Sequence, residues 1–522
     1  MNTHAERVIE YRNGVEMPAG AGAVAGSAAL QEAIRDIVLG GDSAFDKRRM
    51  IRNVVRRAML DSKQGFLCQT ADGRGFYFNK SERRLYDLEQ KSFQHLLSSV
   101  SGLSATETQF RFVLDCFQTE AARTKPVEVH TLSFYDLRTR MLHISDGGGG
   151  VLKRERGADW EQGYNGDDGI LFLTESEAQP WAVEFKRDGA LAWLLNQFLL
   201  DNGGSLTCEE EKTLLVVWLL QNFFPALRQT RIIPAFLGPQ GSGKTSAMRM
   251  IGRLFSGPEF DVTGLSRDRE DAFVAAISNR VVVALDNADS RIQWLEDALA
   301  TYATGLRYRL RRLYTTNEEV SYQPRAILML SSRDPHFRRP DVAERLLPVN
   351  FKRPEAYQPE SALFGELAKR RGQIMGELLT RAGKIADSLA NVALPAMKFR
   401  MADFASFGWI VAHSPGQHEE WENLLSKLER GQIEFASEGD SLVIVLASIL
   451  ATEGKIGPVD VGGLYRRCSA LAESESLPFA KSAQGFGKHL SNMKRVIEIE
   501  LGAIFTEERG AGNRRFVAIQ PK

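Results

Sequence analysis

The residues best suited to chemistry lie in AFLGPQGSGKTSAMRMIGRLF, Ala235 to Phe255, where Gly238 is followed by four residues and then Gly243-Lys244-Thr245. Glycines at this spacing, between a strand and a helix, let the backbone curl so that loop N–H groups face a β-phosphate, with the positive end of the helix dipole behind them. Gly238, Pro239, Gln240, Gly241, Ser242, Gly243, Lys244, Thr245 and Ser246 are therefore the expected cradle for ATP. Lys244 is expected to neutralise the β and γ phosphates, and Thr245 to offer its hydroxyl to Mg²⁺. A second magnesium partner is needed at the end of a neighbouring buried strand, and RVVVALDNADS supplies Asp286 there. Asn287 stands where many ATP hydrolases place a glutamate that orients water. Either Asn287 positions the water while Asp286 or Asp289 carries the negative charge, or hydrolysis is deficient. A third strand, RAILMLSSRD, ends at Ser331, whose hydroxyl would reach the γ-phosphate or the attacking water.

These residues need elements to hold them. Ile232 to Leu237 reads as a buried strand, and Thr245 to Phe255 as a helix with Met248, Ile251 and Phe255 on one side. Apolar strands ending in Asp286 and Ser331 complete an α/β pattern. The runs LAWLLNQFLL and EEEKTLLVVWLLQNFFPAL, from Leu191 to Leu227, are apolar on more than one face and predict packed helices leading into the first strand.

At 522 residues the chain is too long for one ordinary core. Lysine plus arginine equals aspartate plus glutamate, 66 each, so any nucleic-acid surface must be a local patch. The cysteines Cys68, Cys116, Cys208 and Cys468 form no C-x-x-C pair, which argues against a zinc ribbon or a disulfide framework. No apolar run approaches the ~20 residues a bilayer requires, so no membrane partner and a soluble, cytoplasmic protein are expected.

Gly14 to Leu30 is glycine-rich and small, as in a flexible connector, and residues 1–30 are expected to be a flexible amino terminus. The following DKRRMIRNVVRRAMLDSKQ has apolar residues at helical spacing. Its arginines suit either DNA contact or, the favoured reading, a solvated face. Alternating segments and the Asp72-Gly73 turn make 31–175 an α+β domain of unreadable role. Between the aspartate and serine strands, GLRYRLRRLYTTNEEVSYQPRAILML predicts a hairpin in which Arg309, Arg311 and Arg312 suit phosphate and base contacts, or subunit contacts. Its tip carries Glu318 and Glu319, which oppose a phosphate backbone. At the carboxyl end, a helix, a short strand, two helices and a terminal hairpin follow the order of a winged helix-turn-helix. Lys488 on its third helix and Arg514 and Arg515 on the wing are the expected duplex contacts.

The segments GPQGSGKTS, VVVALDNAD, WLEDALATYATG, RRLYTTNEEV, RPDVAERLL and GNRRFVAI, taken in order, resemble the superfamily 3-like AAA+ ATPases of phages, plasmids and integrated elements, akin to the helicase half of poxvirus-type primase-helicases. The resemblance covers about the last 330 residues. It implies a P-loop α/β core at 231–355, with a helical collar at 186–230, a helical lid at 356–400 and a winged-helix domain at 401–522. It also implies a hexameric ring homo-oligomer that translocates on DNA, one strand in its pore and duplex at the winged helix. Lys244, Thr245, Asp286, Ser331 and Arg345 match the lysine, magnesium, sensor and trans-arginine positions. Arg345 would reach a neighbouring subunit's ATP, the alternative being an ion pair on its own surface, and Arg339 is the reserve. Serine stands where the family sensor is commonly asparagine, and the hairpin tip is acidic where a lysine or histidine is usual. The activity implied is an ATP-dependent DNA helicase or translocase; a nucleotide-dependent switch or scaffold is the alternative.

Overall fold

The computed structural model describes residues 27–60, 64–175, 178–185, 189–202, 204–265, 269–288, 292–311, 319–332, 339–389, 391–437, 440–510 and 514–522, with backbone alone at 309–311 and 319–321. At its centre is a parallel five-stranded sheet. In chain order its strands are β1 (Ile233–Leu237), β2 (Thr263–Gly264), β3 (Val282–Asp286), β4 (Ile327–Ser331) and β5 (Leu346–Asn350), and in space they run β2-β3-β4-β1-β5. The serine strand β4 thus lies between the phosphate-loop strand β1 and the aspartate strand β3. β1 and β4 are buried at every position, as expected of parallel strands covered on both faces.

Helix α1 (Lys244–Ser256) follows β1 and buries Met248, Ile251 and Phe255. Its rear is held by the long helix α2 (Glu360–Ser388). Arg371 of α2, only 8 % exposed, donates from Nε to the carbonyls of Arg253 (3.1 Å) and Leu254 (3.0 Å) and from Nη2 to Phe255 (3.3 Å). Its remaining donors reach Pro180 O at 3.1 Å and Gln179 O at 2.7 Å. A cation on the last carbonyls of α1 also complements the negative end of the helix dipole. Trp181 donates its indole N–H to the carbonyls of Leu254 and Phe255, both at 3.2 Å. The segment carrying Trp181 lies so close to α2 that a Cβ on Gly372 would stand 1.9 Å from Ala182 O, and one on Gly376 2.0 Å from Glu184 O.

Helices Ala190–Asn196 and Cys208–Gln221 precede β1, the second opened by a capping box of Thr207 and Glu210. The amino-terminal region has its own apolar core, in which Ile51, Val55 and Met59 of the basic helix Ala44–Met59 pack with Tyr77, Phe93 and Phe117. Arg56 of that helix pairs with Glu120 at 2.7 Å. The stretch from Ser133 to Tyr164 is a four-stranded antiparallel sheet, with Gly147 and Gly149 at positive φ in the turn between its second and third strands. Its Leu142, Ile144 and Leu152 belong to the main apolar core.

After α2 come helices Ala402–His413 and His418–Ser437. The last segment runs helix Ser441–Glu453, strand Ile456–Asp460, helices Val461–Ser474, Ala483–Asn492 and Lys494–Glu500, and strands Ala503–Arg509 and Arg515–Pro521. These strands form an antiparallel sheet with Arg515–Pro521 in the middle. Among the described residues no single helix is long and apolar enough to cross a membrane, and all four cysteines are free.

Candidate functional site

The carboxyl edge of the sheet collects the expected nucleotide residues. Gly238 has φ +137°, and a Cβ there would stand 2.2 Å from Phe351 O, so the loop can leave β1 only through glycine. Gly243 caps α1 at φ +86°. Lys244 is 7 % exposed and turns back over the loop, its Nζ donating to Gly238 O at 2.6 Å, Pro239 O at 2.8 Å and Ser242 Oγ at 3.3 Å. An ammonium over the loop's own carbonyls stands where phosphate oxygens could replace them as acceptors.

Strand register does the rest. β3 pairs Leu285 with Leu330 of β4, and β4 pairs Ser331 with Phe236 of β1, so Asp286 and Ser331 leave the sheet side by side next to the loop. Ser331 donates its hydroxyl to Asp286 Oδ1 at 2.6 Å, and Thr245 donates to the same oxygen at 3.1 Å. Ser331 Oγ accepts from Asn287 N at 3.1 Å, which fixes the turn after β3. Asn287 has φ +53°, and its amide nitrogen lies 3.4 Å from Asp286 Oδ2. Asp289 lies outside the described residues. Thr245 Oγ1 and an Asp286 carboxylate oxygen, in contact, are the hard oxygen donors Mg²⁺ prefers. A site that leaves its other positions to water and phosphate suits that ion, which seldom takes an all-protein cage. No group of three or more histidines, cysteines, aspartates or glutamates that could hold a metal ion occurs among the described residues.

One participant carried no sequence signal. Glu360, at the start of α2, accepts from Ser246 Oγ at 2.6 Å and pairs with Arg249 at 3.3 Å, tying the loop helix to the element behind it. Its sequence distance from the loop hides the contact.

Arg345 sits at the other end of the sheet. Its carbonyl accepts from Ile233 N at 3.0 Å, at the amino ends of β1 and β5. About 16 Å of strand separates it from its own phosphate loop. Its guanidinium bonds Asp341 O and pairs with Asp341 Oδ2 at 3.2 Å, while Arg339 pairs with Asp297 and, at 3.0 Å, with Asp341. Burial and the nearby Arg400 lower the Arg345 pKa.

The hairpin between β3 and β4 forms as an antiparallel ladder, Tyr308–Arg311 against Glu319–Tyr322. Arg309 and Arg311 lie on its first arm, with Arg309 opposite Ser321 and Arg311 opposite Glu319; Arg312 and Glu318 lie outside the described residues. At the carboxyl end, Lys488 and Arg514 are exposed. Arg515 instead braces the domain, donating to Gly487 O at 2.9 Å and Ser491 Oγ at 2.5 Å and pairing with Glu507. His489 lies 2.9 Å from Asp440 Oδ2.

Residues 199–415 match the family model described as the actinomycete integrative conjugative element replication protein. That interval holds β1–β5, α1 and α2. No curated protein shows significant similarity to the chain. Among solved structures, similar ones include the SCCmec type IV Cch active helicase, with 10 % identity, a TM-score of 0.43, and coverage of 87 % of this chain and 93 % of that one. The apo NrS-1 C-terminal region is 12 % identical with a TM-score of 0.36, over 90 % of this chain and 99 % of that one. JCV helicase, bound to a thiazolopyridinyl-phenoxy-phenyl acetamide, is 14 % identical with a TM-score of 0.21, over 46 % of this chain and 71 % of that one. All three likenesses are remote, and the site rests on the geometry above.

Proposed function

We propose that the chain is an ATP-hydrolysing DNA motor of the replication-protein kind, built on an AAA+ P-loop core and working as a ring, most simply a hexamer. The observation that carries this reading is the convergence at one sheet edge of Thr245 and Ser331, both donating to Asp286, beside Lys244, which lies over the carbonyls of the glycine-rich loop. Lys244 exchanges its loop carbonyls for phosphate oxygens. Thr245 and Asp286 hold Mg²⁺, which supplies charge neutralisation on the phosphates when bound. Ser331, fixed by Asp286 and the Asn287 N–H, orients the polar edge where the γ-phosphate would lie. Arg345 lies a strand's length from its own loop, so the nucleotide it would serve is a neighbour's; in the single chain it makes the alternative ion pair, with Asp341, which a neighbour's phosphates would have to displace. The match of 199–415 to a mobile-element replication protein supports DNA as the partner. A strand would pass the arginine-bearing hairpin, and duplex would meet Lys488 and Arg514 of the carboxyl-terminal domain, read here as a winged helix.

One observation favours a second reading. Asn287 follows Asp286 where a glutamate base would orient water, which suits a slow nucleotide switch that orders an assembly without unwinding DNA.

The test is ATP turnover with and without a forked duplex, alongside strand separation. The motor reading expects DNA-stimulated turnover that falls by ~10²–10³-fold in Asp286→Ala, and Arg345→Ala protomers that depress turnover when mixed with wild type. Turnover indifferent to DNA, with no strand separation, supports the switch. Mixed rings whose activity equals the average of their parts contradict a shared site.

A further inference from the structure

Four arginines converge on a cavity of about 300 Å³ away from the phosphate loop, where the amino-terminal domain, the start of the central sheet and the base of the hairpin meet. Arg228 forms its floor, 7 % exposed, with Nη1 donating to Asn222 Oδ1 and Nε without a hydrogen-bond partner among the described residues. Arg231 lies with its guanidinium carbon 5.3 Å from the Tyr302 ring centroid, and neither its Nε nor its Nη1 has a hydrogen-bond partner among the described residues. Arg325 Nη1 is likewise buried without a partner among those residues. Arg307 stands exposed at the mouth, donating to Gln323 Oε1 at 3.1 Å.

The opposing charge is smaller. Asp72 and the exposed Glu128 are the carboxylates lining the cavity; Asp72 Oδ1 accepts the Thr70 hydroxyl, and Asp72 Oδ2 is buried without a hydrogen-bond partner among the described residues, one acceptor against the several unpaired guanidinium donors. Arg74, nearby, is balanced by Asp87 at 2.6 Å. His130, pushed down to about 4 by burial and by Arg325, is neutral at physiological pH. Four guanidiniums against two carboxylates leave a formal charge of +2 among the lining groups.

Buried guanidinium N–H groups without acceptors are costly, and the ligand that relieves them must bring both charge and several oxygens. Phosphate brings a charge of about −1.5 to −2 and three acceptor oxygens, matched in geometry to forked guanidinium donors. A single carboxylate carries half that charge. The volume lies at the low end of small-ligand pockets, with room for a phosphate and a sugar-sized appendage.

We infer that this cavity is a second anion site, taking a phosphate monoester or inorganic phosphate and clamping the amino-terminal domain to the base of the arginine hairpin. It does not depend on what the phosphate loop does.

Equilibrium dialysis tests it on the full-length chain carrying Lys244→Ala, which silences the other phosphate site. Radiolabelled inorganic phosphate and radiolabelled ribose 5-phosphate serve as probes at millimolar concentration. One phosphate per chain is expected, weakened by about tenfold or more in both Arg325→Gln and Arg307→Gln. Ribose 5-phosphate that competes with phosphate identifies a monoester as the ligand, whereas phosphate bound without ribose 5-phosphate identifies the free anion. Absence of saturable binding by either probe, or binding unchanged in both arginine variants, overturns the inference. Arg307 is exposed, so Arg307→Gln keeps the test decisive if Arg325→Gln fails to fold.

Discussion

Arg371 and three of the cavity arginines, Arg228, Arg231 and Arg325, are largely withdrawn from water, yet they live in opposite circumstances. Arg371 meets five backbone carbonyls, three of them at the end of the phosphate-loop helix, and Asp146 adds an attractive charge. Arg228, Arg231 and Arg325 each keep at least one buried donor without a hydrogen-bond partner among the described residues. The lesson is that burial alone does not assign a role to a charge. A guanidinium whose donors are all used is part of the scaffold, and one whose donors converge unpaired on a cavity is arranged for something that arrives. The nucleotide edge lies between these cases: Lys244, Thr245 and Ser331 are engaged, but with partners that a nucleotide and its metal could replace.

The comparison can be broken most severely at Arg371. Arg371→Met removes its five carbonyl contacts, leaving Leu254 and Phe255 to the Trp181 indole and Arg253 O without that donor, so a loss of about 3 kcal/mol in denaturant-measured stability is expected. A change below about 1 kcal/mol would mean that those contacts are not holding the helix. Arg325→Gln, by contrast, removes a buried charge with an unused donor, and its stability without phosphate should stay within about 1 kcal/mol of wild type. A loss as large as that of Arg371→Met would erase the distinction.

Glu211 sharpens the same rule with the sign of charge reversed. It is 1 % exposed and accepts from Asn350 N at 3.1 Å and Nδ2 at 3.0 Å, but burial outweighs these bonds and pushes its pKa up to about 8. The folded state therefore holds this proton more tightly than the unfolded chain does. Its stabilising effect is complete below the ordinary value of 4.5 and is lost as pH rises through about 8. Glu211→Gln keeps an acceptor for Asn350 without the charge. The fall in melting temperature between pH 6 and pH 8.5 should be shallower in the variant, with a gain on the order of 1 kcal/mol at the upper end. Parallel curves would show that Glu211 does not carry this proton.

What could be read from the sequence was what is encoded locally. The phosphate loop occupies a few consecutive residues, and the Asp286 and Ser331 strands announce themselves by apolar runs that stop at a polar residue. The hairpin ladder and the order of the last elements follow from alternation and turn residues in the same way. Contacts made across long stretches of chain were not legible. Arg371 lies more than a hundred residues from the carbonyls it caps, and only the i, i+4 pair Gly372 and Gly376 hinted at a close approach on α2. Arg515 read as a free wing cation, but Glu507 and Ser491 claim it once the strands pair. The cavity draws on six separated stretches. Its signal, arginines set against buried strands in ALRQTRIIPAF and QPRAILML, is visible only in retrospect.

Calorimetric titration of ATP with Mg²⁺ into the wild-type chain and into Lys244→Ala addresses the nucleotide site without relying on turnover or DNA. Wild type should bind at a site whose affinity falls by about 100-fold or more in the variant, the loss of a charge-assisted contact to two phosphates. Equal affinities in the two proteins would contradict the assignment of the Gly238–Ser246 loop as the place where nucleotide is held.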